Sequence, residues 1–538
     1  MPCQDTFPFP HFQLNMRFFI LITATAFWIT PVQSQKSRTV DICIYGDTSA
    51  GVISAYTARK MGKRVLLVTA ERHPGGISAS GLGNTDIGNK IAITGLARDF
   101  YRRIGAHYGK PEQWIFEPHV AEAVFKDYLR LGKVEIWYGQ RLVSVISNNK
   151  VIQEIRTVEV SSNASDLRRV RAKVFIDCSY EGDLMAKAGV SYTLGREPNS
   201  QYHETYNGVQ LLDKHQFPDS VDPYIIAGNP ESGLVWGISG EKPAVNGTGD
   251  KKIQAYNFRI CLTDSAANRI DITRPPEYDA DKYILLLRYL EKKKPASLED
   301  RILNINLMPC RKTDINNNGP FSTESIGMNY DFPEGGFETM KEIIRRHELD
   351  TKGRSHFLGH DERVPEYLRK EMLRWGYPKD EYTDNGHWPR QLYVREARRM
   401  TGGYIMTQAN CTGEEKVDDG IGLAAYTMDS HNCERIVVNG MVKNEGDVQI
   451  GGFPPYPVSY RAIVPKAAEC TNLLVPVCLS ASHIAYGSIR MEPVFMVLGQ
   501  SAAVAAVLAV NRHLAVQQVP VPDIQKVLRE NPLAESRK

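Results

Sequence analysis

Val40-Asp-Ile-Cys-Ile-Tyr45, followed by Gly46-Asp-Thr-Ser-Ala-Gly51, is the stretch that decides the fold class. The first part is a short apolar run of strand type, and glycines bracket the turn after it. Residues 52–61 have the small-residue composition of a helix, which Gly62 ends, and Arg64-Val-Leu-Leu-Val68 is a second buried strand. A strand, a glycine turn, a helix and a strand within about 30 residues form the context of a dinucleotide-binding βαβ unit. We therefore predict an α/β fold with a Rossmann-type, doubly wound parallel sheet.

The turn of this unit is predicted to hold the pyrophosphate of the dinucleotide. Gly46 permits the tight turn, and Gly51 lets the helix approach the strand closely. Ser49 and Ala50 belong to the helix N-terminus, whose free N–H groups and positive dipole end attract phosphate. Thr48 replaces the middle glycine of the G-x-G-x-x-G pattern. Either the backbone there approaches phosphate less closely, or the threonine hydroxyl contributes a contact.

The segment after the second strand favours FAD over a nicotinamide cofactor. Thr69 stands where the acidic ribose ligand is expected, and Glu71 is the nearest substitute. Glu71-Arg-His-Pro-Gly-Gly76-Ile-Ser-Ala-Ser-Gly81-Leu-Gly83-Asn-Thr-Asp86 then forms a glycine- and serine-rich loop whose N–H groups could line an extended cofactor. A flexible surface loop is the alternative. The predicted cofactor contacts here are Glu71, Arg72, His73, Gly75, Gly76 and Gly81.

A later strand, Arg171-Ala-Lys-Val-Phe-Ile-Asp177, is predicted to return to the parallel sheet. Ligands of such sheets bind beyond the carboxyl ends of the strands. We therefore expect the residues that follow to face the cofactor, with helix capping by Asp183 as an equal alternative. These residues are Asp177, Glu181, Gly182 and Asp183.

The N-terminus is typical of a secretory signal. Arg17 precedes an apolar stretch from Phe18 to Ile29, and Val32 and Ser34 are the small residues expected before a cleavage site. Cleavage after Ser34 would make the protein secreted or periplasmic. The eight cysteines after the signal could then form disulfides, although the sequence does not show which of them pair.

The bulk composition excludes several classes of partner. The 538 residues include 65 Lys plus Arg against 62 Asp plus Glu, a balance that argues against nucleic acid or an anionic membrane as a partner. The chain has no C-x-x-C motif, and no metal site is predicted.

Several motifs together resemble the FAD-dependent oxidoreductase family found among exported bacterial proteins, which is distantly similar to fumarate reductase flavoproteins. The resemblance spans roughly residues 41–512 and implies FAD as the cofactor and oxidation as the reaction. Because family members often lie near polysaccharide-degrading enzymes, it also suggests a carbohydrate substrate. The motifs are Gly46-x-Thr-Ser-Ala-Gly51, Arg72-His-x-Gly-Gly76, Gly81-Leu-Gly-x-Thr-Asp86, Val174-Phe-Ile-Asp-Cys-Ser-Tyr-Glu-Gly-Asp183-Leu, Asp384-Asn-Gly-His-Trp-Pro-Arg390, Val394-Arg-Glu-Ala-Arg-Arg399 and Ser480-Ala-Ser-His-Ile-Ala-Tyr-Gly-Ser-Ile-Arg490-Met-Glu-Pro493.

The C-terminal stretch from Glu492 to Leu508 is predicted to be a helix opened by Pro493, with an apolar length too short and interrupted for a membrane span. The resemblance implies that its N-terminus points at the pyrimidine edge of the flavin. Glu492 and Met496 are the predicted cofactor contacts there. Negative charge on reduced flavin would be stabilised by a helix N-terminus.

Four residues are candidates for catalysis. His387 and His483 are candidate bases, since histidine titrates near neutrality and both stand among polar or small residues. Arg395 and Arg490 are candidates for binding charge on substrate or flavin. We place Arg395 with Arg398 or Arg399 on adjacent faces of a helix, with salt bridges to neighbouring acids as the alternative. The relation to fumarate reductases also raises covalent flavin attachment near His73.

The predicted organisation is a FAD-binding domain in three segments around a β-meander, plus an inserted, mostly helical substrate domain. Its parts are the N-terminal extension and signal peptide (1–34), the FAD-binding segments (35–95, 171–198 and 441–512), the cap helices and β-meander (96–170), the substrate domain (199–440) and the C-terminal tail (513–538).

The leading hypothesis is hydride transfer from a small organic substrate, a carbohydrate or hydroxy acid, to FAD. The electron acceptor stays open among oxygen, a quinone and a carrier protein, and no membrane span is expected in the mature chain. Alternatives are a non-redox hydratase or isomerase that uses FAD structurally, and a secreted binding protein without catalysis.

Overall fold

A computed structural model describes residues 37–161 and 167–534, so the predicted signal peptide lies outside the described residues. The strands are β1 (Ser37–Tyr45), β2 (Val65–Val68), β3 (Glu135–Trp137), β4 (Gln140–Asn148), β5 (Val151–Glu159), β6 (Arg168–Asp177), β7 (Tyr192–Thr193), β8 (Ile260–Thr263), β9 (Arg269–Asp271), β10 (Leu303–Met308), β11 (Lys312–Asn317), β12 (Gly376–Pro378), β13 (Arg399–Met400), β14 (Gly420–Ala424), β15 (Met428–Ser430), β16 (Glu434–Val438), β17 (Met441–Glu445), β18 (Val448–Ile450), β19 (Tyr456–Ser459) and β20 (Leu473–Leu474). The helices are α1 (Ser49–Lys60), α2 (Gly95–His107), α3 (Pro118–Gly132), α4 (Asp183–Lys187), α5 (Asn199–Tyr202), α6 (Ile284–Lys293), α7 (Gly336–His360), α8 (Glu366–Met372), α9 (Gln408–Thr412), α10 (His483–Ile489), α11 (Glu492–Arg512) and α12 (Val521–Glu530).

The main sheet contains both parallel and antiparallel strands, and its central strands are parallel. Strands β3, β2, β1 and β6 lie side by side and parallel, with α1 connecting β1 to β2. The other edge of β6 is shared: β20 pairs in parallel with its C-terminal part, and β5 pairs antiparallel with its start. The hairpin of β4 and β5 completes seven strands. The buried runs of β1 and β2 are almost continuously apolar because helices cover such parallel strands on both faces.

Helices α1 and α11 pack directly on each other beside this sheet. A Cβ at Gly499 would lie 2.6 Å from the carbonyl oxygen of Ala50, so only glycine permits this approach. The Ser54 hydroxyl donates to the Gly499 carbonyl at 2.8 Å. This packing fixes the N-terminal turn of α11 relative to the β1–α1 turn.

By length and composition alone α11 could cross a membrane, so the expectation that its apolar stretch is too short was wrong. Of its most apolar window, 94% is buried inside the protein, which is common for the core helix of a folded domain. Gly499, Gln500 and Ser501 interrupt the apolar run, but the valines, leucines and alanines on both sides of them keep the mean hydropathy at 2.0.

The segment predicted to be mostly helical contains a five-stranded sheet instead, in the order β10-β11-β8-β12-β9 with antiparallel pairs. The expectation of a mostly helical domain was therefore wrong, although α7 runs for 25 residues. The strands escaped detection because asparagines on β10 and β11 have the composition of a loop. Among the described residues all eight cysteines are free, and only Cys310 is exposed.

Candidate functional site

The turn between β1 and α1 is shaped as the sequence predicts. A Cβ at Gly51 would lie 2.0 Å from the carbonyl oxygen of Gly46, and Gly46 itself has φ +93°. Thr48 is the N-cap of α1: its hydroxyl donates to the Cys178 carbonyl at 2.8 Å and accepts from the Gly51 N–H at 3.3 Å. The hydroxyl is therefore committed to the fold and does not supply a phosphate contact. The first-turn N–H groups of Ser49 and Ala50 remain, since a helix offers them no internal partner.

A cavity of about 290 Å³ opens at the carboxyl ends of β1, β2 and β6. Its walls include Tyr45, Glu71, Glu181 and Asp183 from this sheet edge. Burial raises the pKa of Glu71, and burial together with Asp183 raises the pKa of Glu181 to about 8. Carboxyl groups of this kind are suited to bonding hydroxyl or amino groups of a polar ligand. We name this space the sheet-edge cavity.

The residues around the β1–α1 turn fit a dinucleotide. Two buried oxygens, Asp47 Oδ2 and Ser49 Oγ, have no hydrogen-bond partner in the described part of the chain. Burial, and then the nearby Glu71, raises the pKa of Asp47 to about 7. The free helix N–H groups and the Ser49 hydroxyl can donate to a pyrophosphate. The neighbouring cavity, lined by Glu71, offers space for the ribose and base.

Other predicted cofactor contacts have different surroundings. Arg72 projects to the surface near Glu159, 3.6 Å away. Both ring nitrogens of His73 lie at carboxylates, Nδ1 2.8 Å from Glu122 and Nε2 2.6 Å from Asp384. Asp177 is fully buried and accepts from Ser179 N, Ser179 Oγ and Met185 N, so it organises the turn into α4.

The glycines of the loop serve close packing. A Cβ would meet the Phe125 ring at Gly75 and the Tyr180 hydroxyl at Gly76. At Gly81 it would lie 2.0 Å from the Arg259 carbonyl. These contacts hold the loop between the β1–α1 turn and the inserted sheet.

The N-terminus of α11 meets the same loop. Glu492 accepts from the Tyr180 hydroxyl at 2.5 Å and from the Ser78 hydroxyl at 3.2 Å. Gly182, at φ +70°, precedes α4 in the turn that follows Tyr180. Met496 is buried in the core one turn further along α11, with no exposed surface. Glu492 therefore ties the helix to the glycine loop, and Met496 stabilises its packing.

A second cavity, of about 440 Å³, is lined almost wholly by polar groups; we call it the polar cavity. Asp86, Asp429 and His431 stand in its wall together with Tyr393 and Arg395. Its remaining wall includes Tyr426, Arg259 and a group of asparagines. Its volume is within the range of about 300–1,000 Å³ typical of small-molecule sites.

The charged groups of the polar cavity form an ordered network. Arg490, just before α11, donates to the Tyr393 hydroxyl at 3.1 Å and to Asp429 Oδ2 at 3.1 Å. His431 Nε2 lies 3.2 Å from Asp429 Oδ2, and its Nδ1 contacts Glu324. Burial lowers the pKa of His431, but the two carboxylates outweigh it and the net shift is upward. The two carboxylates thus favour the protonated form of the imidazole.

Asp86 is a carboxyl group of this cavity that has few hydrogen-bond partners in the protein. The Tyr426 hydroxyl donates to its Oδ1 at 3.2 Å, and no bond to Oδ2 is found among the described residues. Burial raises its pKa, whereas the cations Arg259 and Arg490 oppose that rise. A carboxylate with an elevated pKa in a polar cavity is suited to accept a proton.

Neither predicted histidine base lines the polar cavity. His483 is buried, with Nδ1 2.7 Å from Glu396 and Nε2 2.9 Å from the Ser430 hydroxyl. His387 has φ +63°, and its Nδ1 lies 3.1 Å from the Glu381 carbonyl. Both predictions rested on polar neighbours in sequence, which do not show which cavity a side chain faces.

Residues 394–398 form neither a helix nor a strand, so the predicted helical pairing of the arginines was wrong. Tyr393, just before them, forms an isolated β-bridge with Asn257. Arg395 reaches the polar cavity, Arg398 binds Asp183 at the sheet-edge cavity, and Arg399 is buried against Glu197. The salt-bridge alternative holds for Arg399, whose Nε lies 2.6 Å from Glu396.

The sequence analysis did not predict Asp429 and His431 as functional residues, and it predicted Asp86 only as part of the loop that lines the cofactor. A signal exists in Met428-Asp-Ser-His431, where an acid within a short strand and a histidine just after it stand two positions apart. Spacing of two on a strand places both side chains on one face.

A model of the FAD dependent oxidoreductase family matches residues 41–528. The chain belongs to this family. FAD is its cofactor, and it is an oxidoreductase enzyme, which confirms the resemblance seen in the sequence. No curated protein matches the chain significantly.

Several solved structures match parts of the chain. They include the anhydrotetracycline hydroxylase OxyS from Streptomyces rimosus (13% identity, 34% of this chain, TM-score 0.24), the flavin-dependent brominase Bmp2 (18%, 30%, 0.23) and THI4 from Thermovibrio ammonificans (16%, 30%, 0.23). The chain spans 36%, 42% and 66% of those three chains, less than two thirds of each.

Proposed function

We propose that this FAD-dependent oxidoreductase oxidises a hydroxyl-bearing small molecule held in the polar cavity. The proposal rests on the position of Arg490, which lies two residues before α11 begins. Its side chain donates hydrogen bonds to two residues of the polar cavity, Tyr393 and Asp429. Because Arg490 connects the cavity to the start of α11, a substrate in the cavity would lie next to the end of the cofactor that α11 approaches. We also assign the parallel sheet to a Rossmann-type FAD-binding domain, with adenosine in the sheet-edge cavity near Glu71.

FAD supplies the two-electron oxidation when it is bound. The substrate C–H bond breaks with its electron pair, which leaves as hydride, and the O–H bond breaks as the C=O bond forms. Asp86 takes the hydroxyl proton, because its Oδ2 is free of protein bonds and its raised pKa matches the task. His431 and Arg395 orient the substrate oxygens and stabilise charge that develops on them.

The proposal includes export. The predicted signal at residues 1–34 supports release from the cytoplasm after cleavage at Ser34. Fusion of residues 1–34 to a reporter enzyme that is active only outside the cytoplasm would test it. Activity of the wild-type fusion and its loss when Leu21 and Ile22 are changed to Arg are expected; equal activity of both fusions would contradict export.

The oxidation is tested by anaerobic mixing of the FAD-loaded protein with a panel of sugars, sugar acids and other alcohols, while the oxidised-flavin absorbance is followed. At least one hydroxyl compound should bleach the flavin, and Asp86→Asn should slow bleaching by about 100-fold or more. Asp418→Asn, at an almost fully exposed carboxylate, is the matched control and should react like the wild type. Unchanged bleaching by the Asp86→Asn variant would remove Asp86 from this role.

A further inference from the structure

One wall of the polar cavity is a sheet face that carries side-chain amides. In the β10–β11 hairpin Asn304 lies opposite Asn316, and Asn306 lies opposite Asp314. Side chains at these positions share a face, because cross-strand partners point the same way and alternate residues repeat it. Asn304, Asn306 and Asn316 all line the polar cavity. We call these three residues the amide face.

Much of the hydrogen-bonding capacity of this wall is unused by the protein. Across the described residues the side chain of Asn304 makes no hydrogen bond, and Asn306 makes one long bond, 3.4 Å, to the Asp314 carbonyl. Asn316 accepts from Asn257 at 3.1 Å, which leaves its NH₂ group. Each amide has two donors and one acceptor oxygen. Hydroxyl groups both donate and accept, so they match a row of amides better than carboxylates or ammonium groups do.

The arginines and His431 of the cavity are already paired, whereas the exposed Lys214 contacts only the neutral side chain of Gln449. Arg259 donates to both oxygens of Asp314, at 2.8 and 2.5 Å. Arg395 is bonded to Glu324, Asn257 and the Ala255 carbonyl. His431 lies between two carboxylates. No arginine among the cavity's described residues is left to pair with an anionic substrate, and Lys214 is exposed, so the amide-lined part of the wall favours a ligand that is polar and uncharged.

We propose that the amide face is a binding subsite for a neutral carbohydrate and that it holds the hydroxyl groups that are not oxidised. This inference deepens the proposed function and rests on it for the reaction, but the binding itself does not require turnover. The amide face would affect the affinity for the substrate, whereas Asp86, which lies outside the β10–β11 hairpin, would affect the rate of the chemical step. Loss of an amide should therefore raise KM and leave kcat nearly unchanged.

The test uses the FAD-loaded protein with Asn304→Leu and Asn306→Leu, which keep side-chain size and remove the polar atoms. Asn511→Leu is the control, because Asn511 is an exposed asparagine at the far end of α11. Glucose, galactose, maltose and cellobiose are the neutral probes, gluconate and galacturonate the anionic ones, and benzyl alcohol the apolar one. Sugar binding is read by calorimetry and flavin fluorescence, and oxidation by anaerobic bleaching.

At least one neutral sugar should bind and bleach the flavin, and each amide-face variant should raise its KM by about three- to tenfold, the effect of one lost hydrogen bond. The control should not change it. Asn304→Gln, which keeps the amide, should recover part of the affinity. Thermal unfolding and FAD content separate a folding defect from a binding one.

The outcomes separate this inference from the proposed oxidation. If only the sugar acids or benzyl alcohol bleach the flavin, the amide-face proposal is overturned while the oxidation stands. If neutral sugars bind more weakly to the variants but never bleach the flavin, the subsite stands and the proposed oxidation fails. If no neutral sugar binds, or if the variants bind it as the wild type does, the subsite is overturned.

Discussion

Gly487 lies directly against the backbone of Asp429: a Cβ at Gly487 would be 2.7 Å from the carbonyl oxygen of Asp429. Helix α10 can therefore rest on β15, the strand that presents Asp429 and leads into His431. The same helix begins with His483, whose ring bonds Ser430. This packing contact and the His483–Ser430 hydrogen bond both position the strand that carries Asp429 into the polar cavity.

Gly487→Ala is predicted to slow flavin reduction by about tenfold or more, with FAD content unchanged. Alanine would normally favour a helix by roughly 0.5–1 kcal/mol, but here the methyl group must displace the Asp429 backbone. Anaerobic bleaching rates measure the effect. Gly403→Ala, where a Cβ meets no atom within 4 Å, is the control and should be neutral. A wild-type rate for Gly487→Ala would show that the position of Asp429 is unimportant.

His483→Phe is predicted to destabilise the protein by about 2–3 kcal/mol, because it removes a hydrogen-bond partner of the buried Glu396 carboxylate. Urea denaturation measures the loss. Thr407→Val, a surface-side change at the N-cap of α9, should cost about 1 kcal/mol and serves for comparison. A cost for His483→Phe no larger than that of Thr407→Val would contradict the buried pair.

The pair also predicts how stability depends on pH. Burial opposes ionisation of Glu396, but His483 and Arg399 outweigh it and lower its pKa to about 2 from the ordinary 4.5. The contribution of this depressed pKa to stability is present above pH 4.5 and is lost as the pH falls towards 2. Glu396→Gln should flatten that part of the profile, as followed by the urea midpoint between these pH values. An unchanged slope in the variant would assign the acid sensitivity to other groups.

Glu71→Ala is predicted to weaken FAD binding by about tenfold, as expected for the loss of a charge-assisted hydrogen bond to the ribose. Equilibrium titration of the apoprotein with FAD, followed by flavin fluorescence, gives the affinity. The adjacent Arg72→Ala is the matched control, because Arg72 projects to the surface. Equal affinities of both variants and the wild type would remove Glu71 from the cofactor site.

FAD is predicted to be released when the protein is precipitated with acid. Covalent attachment at His73 needs a free ring nitrogen, and both are engaged by Glu122 and Asp384. Absorbance of the supernatant and of the redissolved pellet reports where the flavin is. Flavin that stays in the pellet of the wild type but not of His73→Ala would establish the covalent link.

The βαβ unit could be predicted from the sequence because its signals are local. The apolar runs at Ile42–Ile44 and Val65–Val68 are continuous, and Gly46 and Gly51 mark the turn between them. The prediction of Glu71 as a cofactor contact followed from its place just after the second strand. Continuous apolar runs and turn glycines are short-range signals that a sequence window contains in full.

The polar cavity could not be predicted, since it joins residues from distant segments. Asp86, Asn304 and Asp429 are hundreds of positions apart and meet only through the inserted sheet and α10. The asparagines of β10 resembled a loop, and the irregular segment around Arg395 resembled a helix by its charge spacing. In both places tertiary context overrides local propensity.

The most direct test of the account is the absorbance spectrum of the protein from Gln35 to Lys538, recorded anaerobically before and after addition of neutral sugars. We predict the bands of bound oxidised flavin and their loss upon addition of at least one sugar. A protein that stays colourless and cannot be reconstituted with FAD, or whose flavin is bleached by no hydroxyl compound, would contradict it.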